Sequence, residues 1–232
     1  MVILSKEESN KQLNTRKVNL EKVIEKKPVL AKRVSRVAVV MDYSGSMRNQ
    51  YKDGTVQAIL ERLLPIAMKF DDNGEMELWI FDDSFRRMPN ISLDNYYGYV
   101  EREILKKKYH MGGTKYSPVI YDIVKKYTVQ DPAPITDLVL FITDGANSDK
   151  AAATEAIKSA SRHPIFWQFI GIGGSKFDFL EKLDDLKGRY VDNANFFTIN
   201  DLTESTDEDI YNKLLSEYPE WLEYPEVQQM IK

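Results

Sequence analysis

Five oxygen-bearing side chains follow apolar or glycine-rich segments of the sequence and could together bind a metal ion. They are Asp42, Ser44, Ser46, Thr114 and Asp144. The first three follow the apolar run "VAVVM", Thr114 follows two glycines, and Asp144 follows "LVLFIT". Hard divalent cations prefer oxygen ligands, and Mg²⁺ usually keeps part of its water shell. The set therefore predicts a site for a divalent cation, with Mg²⁺ as the first choice and Mn²⁺ or Ca²⁺ as alternatives.

The balance of charges in this set indicates an ion that accepts a further ligand. Two carboxylates match the formal charge of a divalent cation, whereas hydroxyls are neutral and weaker donors. The ion would therefore stay electrophilic enough to bind an external carboxylate. A calcium-buffering loop would carry more acids, and the sequence contains no "DxDxDG" pattern. Gly45 lets the first loop turn tightly, and Gly112 and Gly113 allow a close approach before Thr114.

Alternating strand and helix patterns must position these residues. Continuous apolar runs predict buried strands at "RVAVVMD", "EMELWIF", "DLVLFITDG", "PIFWQFIGIG" and "NFFTI", and a short strand at "FRRMP" with "ISL". Helical spacing fills the intervals, so the expected fold is α/β: a Rossmann-like, doubly wound, mostly parallel sheet with helices on both faces. Ligands bind at the carboxyl ends of such strands. The loops that contain "DYSGS", "GGT" and "TDGANSD" are therefore expected to meet there.

Three of the helical segments carry further expectations. "TVQAILERLLPIAMKF" contains Pro65, which predicts a kink or a helix that begins later than the pattern suggests. "DNYYGYVEREILKKK" is predicted to form one helix, and so is "STDEDIYNKLLSEYPEWL".

Length and composition limit the class of protein. The 232 residues suggest a central domain over 35–217, with an N-terminal extension (1–34) and a C-terminal tail (218–232) packed on it. With 32 Lys and Arg against 36 Asp and Glu, the net charge of -4 gives no general attraction to nucleic acid. Cysteine is absent, which excludes disulfides and thiolate metal sites. With no apolar run long enough for a membrane span, we expect a cytoplasmic protein.

Two other motifs have a structural and a functional interpretation. "GIGGSK" resembles a phosphate-binding loop, but it lacks the established spacings, so a tight strand-to-helix turn is favoured. Lys106, Lys107 and Lys108 are typical of a solvated helix end, and a role in binding phosphate or a partner is the alternative.

The motifs "DYSGS", the threonine of "GGT" and the aspartate of "TDG" resemble the metal-ion-dependent adhesion site (MIDAS) of von Willebrand factor A (vWA) domains. The resemblance covers roughly residues 35–200, and "WIFDDSFRRMP", "GGTKYSPVI", "TDGANSD" and "YPEWL" resemble the bacterial tellurium-resistance, TerF-like and copine-like branch. It implies that Ser44, Ser46 and Thr114 contact the metal directly, while Asp42 and Asp144 act largely through water.

The resemblance implies a protein-interaction module that binds an Asp or Glu of a protein partner, in a tellurium-resistance or chemical-stress response. We expect no enzymatic activity, and we expect Tyr43, Met47, Met111 and Asn147 to surround the opening of the site. The alternative function is a haloacid-dehalogenase-like phosphotransferase or phosphatase with Asp42 as nucleophile. That chemistry needs a second acid two positions on, where this chain has a serine. A serine hydrolase is disfavoured because "GxSxG" is absent.

Overall fold

Six strands form one sheet in a computed structural model that describes residues 4–174, 176–199 and 205–231. The strands are β1 (Ser35–Asp42), β2 (Met76–Phe81), β3 (Phe85–Ile91), β4 (Thr136–Thr143), β5 (Ile165–Ile172) and β6 (Ala194–Ile199). Their spatial order is β3-β2-β1-β4-β5-β6, and all neighbours are parallel except β2 and β3. The strand order reverses between β1 and β4. The predicted Rossmann-like, mostly parallel α/β fold is confirmed.

Nine α-helices accompany the sheet within the described ranges. They are α1 (Lys6–Glu25), α2 (Arg48–Lys52), α3 (Thr55–Phe70), α4 (Ser117–Lys125), α5 (Lys150–Ala160), α6 (Asp178–Asp184), α7 (Asp207–Leu214), α8 (Tyr218–Trp221) and α9 (Pro225–Met230). None of these helices is both long and apolar enough to cross a bilayer.

The central strand β1 is buried on both faces, which explains its unbroken apolar sequence. All eight of its residues are buried, and successive side chains point to opposite sides of the sheet. Val39 joins the core formed with α1, α3, α7, α8 and α9, whereas Val40 joins the core formed with α4, α5 and α6. Two helical layers therefore hold β1 in place, and its carboxyl end is a fixed point from which a polar loop emerges.

Helix α1 packs against α3 and α7. A capping box between Ser5 and Glu8 begins the helix, and its buried side chains include Leu13 and Leu20. Buried Arg16 lies 3.5 Å from a carboxylate oxygen of Glu61 in α3 and 3.7 Å from one of Asp207 in α7. The helix thus joins the domain through both apolar and charged contacts.

Two of the predicted helices are wrong in extent. Residues 94–98 form turns instead of a helix, and Gly98 takes a left-handed backbone conformation with φ of 64°, which is incompatible with helical geometry there. A π-helical turn (Val100–Ile104) and a 3-10 turn (Leu105–Lys107) follow. The segment predicted as one helix near the C-terminus is divided into α7 and α8. Pro219 has no N–H for the carbonyl of Leu215, so a continuous helix would lose that bond.

Helix α3 runs unbroken from Thr55 to Phe70 and includes Pro65. The expectation of a later start is therefore wrong. The apolar side chains of this helix are buried against the sheet on its α1 side, and this packing outweighs the backbone hydrogen bond that proline removes.

Candidate metal centre

Asp42 is the last residue of β1, and its side chain is completely buried. Its Oδ1 accepts a hydrogen bond from the backbone N–H of Ser44 at 2.8 Å, and its Oδ2 accepts one from the hydroxyl of Thr143 at 2.6 Å. The Tyr51 hydroxyl donates to the Asp42 carbonyl at 3.0 Å. Thr143 is the last residue of β4, so the neighbouring strand fixes this carboxylate from the side.

A chain of oxygen atoms runs from Ser44 through Ser46 to Asp144. The two serine Oγ atoms lie 3.0 Å apart, and the Ser46 hydroxyl donates to Asp144 Oδ1 at 2.8 Å. A 3-10 turn (Gly45–Met47) follows Ser44 and brings the two hydroxyls together. Ser44 is buried and Ser46 is exposed, so the chain of oxygens leads from the interior to the surface. It joins the loop after β1 to the loop after β4.

Main-chain hydrogen bonds bring the Thr114 loop to the same place. The Gly45 N–H donates to the Gly112 carbonyl at 3.1 Å, which ties this loop to the loop after β1. The Thr114 carbonyl accepts from the N–H of Ser148 at 2.9 Å and from its hydroxyl at 3.0 Å, which ties it to the loop after β4. Asp42 at the end of β1 and the other four predicted site residues, on three connected loops, therefore lie together at the carboxyl edge of the sheet.

An acidic pair after β2 positions the two glycines. Asp82 Oδ2 accepts from the Gly112 N–H at 3.1 Å, and Asp83 Oδ2 accepts from the Gly113 N–H at 2.7 Å. The Asp82 carbonyl accepts from the Lys115 N–H at 2.9 Å. Sequence reasoning did not assign these two acids a role; their position directly after a strand, level with the other polar loops, is the signal that could have identified them.

The approach of this acidic pair favours glycine at both positions. A Cβ on Gly112 would lie 2.8 Å from Asp83 Oδ2 and 3.1 Å from Asp82 Oδ2, and a Cβ on Gly113 would lie 3.0 Å from Asp83 Oδ1. A side chain at either position would therefore require these carboxylates to shift. The glycines thus permit a close approach, as predicted. The segment that approaches them is the loop after β2, with Asp82 and Asp83, which the sequence analysis did not include in the site.

Asp149 fixes the start of α4, which follows Thr114. Its two carboxylate oxygens accept from the N–H groups of Tyr116 at 3.0 Å and Ser117 at 2.8 Å. Asn147 donates to the same carboxylate at 2.8 Å. Burial opposes ionisation of Asp149, but these hydrogen bonds outweigh it and lower its pKa. Asp149 therefore supports the Thr114 loop by its carboxylate–backbone bonds.

Burial raises the pKa of both acids of the candidate site. The pKa of Asp42 is about 6, because burial penalises the charge more than the hydrogen bonds from Ser44 and Thr143 favour it. The negative charge of Asp144 shifts it in the same direction. Burial also raises the pKa of Asp144, against the hydrogen bond from Ser46. A nearby cation would favour the ionised form of both groups.

The chemistry of this donor set fits a hard divalent cation. The Ser46 hydroxyl lies within hydrogen-bond distance of the side-chain oxygens of Ser44 and Asp144, and none of the five site residues offers a nitrogen or sulfur ligand. Among the described residues, no cluster of three or more His, Cys, Asp or Glu side chains has the arrangement of a metal site. An ion held here would therefore depend on hydroxyl oxygens and water as well as on two carboxylates.

Three of the residues expected around the opening of the site are instead buried. Tyr43 and Met47 belong to the core on the α1 side of the sheet, and only 4% of Asn147 is exposed. Met111 is half-buried and packs against the same core. The error has a simple cause, because residues that alternate with inward-facing hydroxyls in a tight loop can turn back into the core.

Comparison with known proteins decides the family. Residues 34–231 match the family described as the vWA domain found in the C terminus of TerF. The chain belongs to the TerF-like family of vWA domains. The chain is also 41% identical over 212 residues to the uncharacterized protein YcbR of Bacillus subtilis. That match covers 90% of this chain and 86% of YcbR.

Solved vWA structures share the fold of this vWA domain at low sequence identity. The SpRpn10 VWA domain is 12% identical with a TM-score of 0.56, and the match covers 84% of this chain and 97% of that one. A von Willebrand factor type A protein from Catenulispora acidiphila is 16% identical with a TM-score of 0.52, covering 85% of this chain and 43% of that one.

A third structure is the mussel proximal thread matrix protein 1, described with a zinc-occupied MIDAS motif. It is 14% identical with a TM-score of 0.53, and the match covers 78% of this chain and 46% of that one. This vWA domain thus spans less than half the length of the mussel and Catenulispora proteins. None of these comparisons supports the haloacid-dehalogenase alternative.

Proposed function

We propose that this vWA domain is a metal-dependent protein-interaction module. A divalent cation, with Mg²⁺ as the first choice, would be held by Ser44, Ser46 and Thr114, with Asp42 and Asp144 acting largely through water. The observation that carries the proposal is the chain of oxygens from Ser44 through Ser46 to Asp144, which joins the ends of β1 and β4 and reaches the surface. There the cation would polarise and bind a carboxylate of a protein partner.

The arrangement of supporting bonds favours binding over catalysis. Asp42 accepts two hydrogen bonds and is fully buried, so it is poorly placed to attack a substrate. The residue two positions on is Ser44, which cannot protonate a leaving group as a second acid would. His110 is exposed, and no hydrogen bond within the described part of the chain orients it as a general base. We therefore propose that the protein has no hydrolytic activity of its own.

The cellular setting proposed is a bacterial response to tellurium compounds or other chemical stress. The family description refers to the C terminus of TerF, and we propose the setting from the resemblance of the sequence motifs to the tellurium-resistance branch. The proposal gives the domain the role of assembling proteins in that response, and it assigns no tellurite-binding role to the metal centre. A deletion strain complemented with Ser46→Ala should be as sensitive to tellurite as the uncomplemented strain.

Metal binding is tested by calorimetric titration of the chelator-treated protein with MgCl₂, MnCl₂, CaCl₂ and ZnCl₂. The expected result is binding at one site, strongly weakened in Ser46→Ala and Asp144→Asn. Asp94→Asn is the matched control, because Asp94 is an exposed acid that lies outside the three loops. Equal binding by wild type and a Ser44→Ala/Thr114→Ala double variant would refute the site. Circular dichroism of each variant verifies that the fold is retained.

Partner binding is tested by capture from a lysate of the source bacterium on immobilised protein, in Mg²⁺ and in EDTA. Proteins retained by wild type in Mg²⁺ should be released by EDTA and should not bind Ser46→Ala. Capture that persists unchanged after metal removal would contradict the proposed mechanism. So would phosphatase or ATPase turnover by the purified protein that is lost in Asp42→Ala.

A further inference from the structure

Five cationic side chains lie on segments that meet beside the metal centre. They are Arg48, Arg86, Lys106, Lys107 and Lys108, and together they are called the basic rim below. Arg48 and the three lysines are exposed, and Arg86 is half-buried. Arg48 begins α2 directly after the loop of Asp42, Arg86 is in β3, and the lysines precede the Gly112 loop.

Contacts between two tyrosines bring these segments together. Tyr43 follows Asp42, and its hydroxyl donates to the Tyr109 carbonyl at 3.2 Å. The Arg86 guanidinium lies over the Tyr109 ring, 4.9 Å from its centroid. Lys108 precedes Tyr109 and has a φ of 52°, so the chain turns sharply at this point. Burial raises the pKa of Tyr43, while the positive charges of Arg48 and Arg86 oppose that shift, which agrees with their closeness to its hydroxyl.

The basic rim has no carboxylate partner within the described part of the chain, although neighbouring cations do. Arg102 Nε lies 2.8 Å from Glu103 Oε1, and Lys115 Nζ lies 3.7 Å from Asp83 Oδ1. No ion pair within 4.0 Å involves any residue of the basic rim in the described ranges. Five positive charges thus lie on segments next to the metal centre, in a chain whose net charge is -4.

A partner that supplies one carboxylate to the cation would place its adjacent residues over this surface. Exposed charges interact over a Debye length of about 8 Å at physiological ionic strength, so the cations of the basic rim that lie within this distance of a bound segment would attract its carboxylates. Single-stranded nucleic acid fits this surface less well than an acidic protein segment. Tyr43 is buried and Arg86 covers the Tyr109 ring, so no open aromatic face is offered for base stacking.

We propose that the basic rim selects an acidic segment of the partner, in which one Asp or Glu reaches the cation and further carboxylates pair with the rim. This inference rests on the proposed metal-dependent function and specifies the partner's chemistry. The partner would therefore carry a run of acidic residues rather than a single exposed carboxylate. Rim charges mainly accelerate association and make it sensitive to salt.

The test measures association of a fluorescent poly-glutamate peptide by stopped flow, in Mg²⁺ and in EDTA, at increasing NaCl concentrations. The rim variant Lys106→Gln/Lys107→Gln/Lys108→Gln should associate roughly tenfold more slowly than wild type at low salt. It should also show a weaker salt dependence and an unchanged affinity for Mg²⁺ by calorimetry. The control variant Lys22→Gln/Lys32→Gln/Lys125→Gln makes the same charge change at exposed positions away from the metal centre and should behave as wild type.

The outcomes separate this inference from the function on which it rests. Peptide association that needs Mg²⁺ but is equal in the rim and control variants would contradict the proposed role of the basic rim. It would leave the metal-bridged function standing. Association that needs the rim but persists in EDTA would support the rim and contradict the metal bridge. Absence of any association by wild type in Mg²⁺ would overturn the inference. A DNA duplex that binds the rim more tightly than the peptide would overturn the assignment to an acidic protein segment.

Discussion

Replacing Thr143 by valine removes one hydroxyl from the end of β4 and keeps the branched shape of the side chain. That hydroxyl donates to Asp42 Oδ2 at 2.6 Å and accepts from the Tyr116 hydroxyl at 3.2 Å. Thr143 and Asp42 are both fully buried, so bulk water has no access to replace the lost donor. After the substitution, Ser44 is the remaining donor to the Asp42 carboxylate.

The structure sets the size of the expected effect. Hydrogen bonds to charged groups contribute about 1.5–3 kcal/mol to stability, so Thr143→Val should lower the free energy of unfolding by about 2 kcal/mol. For a chain of this size, that loss corresponds to a fall in Tm of roughly 4–8 °C. Loss of a residue that orients a metal-site carboxylate typically weakens metal binding roughly 10- to 100-fold, so the Kd for Mg²⁺ should rise by a factor in that range.

The matched control is Thr143→Ser, which keeps the hydroxyl and removes a methyl group. Thermal unfolding in EDTA measures the change in Tm, and calorimetric titration with MgCl₂ measures the change in the Kd for Mg²⁺. Both are measured at pH 8, where Asp42, with its pKa of about 6, is ionised. If Thr143→Val unfolds at the same temperature as Thr143→Ser and binds Mg²⁺ equally well, the hydroxyl does not support Asp42 and the reasoning fails.

Three further perturbations test other parts of the structure. Gly112→Ala should weaken Mg²⁺ binding in calorimetry, because a Cβ there meets Asp83 Oδ2 at 2.8 Å. The control Gly145→Ala, where a Cβ meets nothing within 4 Å, should bind Mg²⁺ as wild type does. Equal affinities of the two variants would contradict this reasoning. Burial raises the pKa of Asp71 from 3.8 to about 7, so the folded state binds more protons than the unfolded state between these values. Wild-type stability should therefore fall more than that of Asp71→Asn as pH rises through this window in urea titrations, and parallel curves would refute the argument. Deleting residues 1–34 removes the buried side chains of α1, each of which contributes about 1.5–3 kcal/mol to stability, so the Tm should fall markedly. An unchanged Tm would show that the extension is dispensable for stability.

The strands were predictable from the sequence, whereas two helical segments were not. A parallel strand covered on both faces is largely apolar, so β1, β4 and β5 are visible as nearly continuous apolar runs. Helical periodicity in the segments near Gly98 and Pro219 is just as clear, but it reports which faces are apolar and not where the backbone turns. A single left-handed glycine or a missing N–H interrupts the helix without disturbing the apolar pattern.

The closeness of the loops after β1 and β4 could be predicted from topology alone. The contacts of Asp82 and Asp83, which position the Gly112 loop, could not. Parallel strands end at one edge, so the loops after β1 and β4 had to be close once the fold class was known. Asp82 and Asp83 act instead on backbone N–H groups of Gly112 and Gly113, about thirty positions further along the chain. A carboxylate that binds a main-chain donor imposes no side-chain pattern on its partner, so the sequence holds no matching motif to detect.

The bonds that connect the three loops explain why a weak and reversible contact is compatible with this site. Gly45 donates to the Gly112 carbonyl, and Ser148 donates to the Thr114 carbonyl, so hydrogen bonds of the protein connect the three loops. These bonds reduce the ordering that a cation bound here would have to impose on the loops. Burial raises the pKa of Asp42 and Asp144, and a bound cation would lower both by favouring their ionised forms. Removal of the ion would therefore alter the affinity for an acidic partner while leaving the fold intact, which is the property required of a contact that assembles and dissociates.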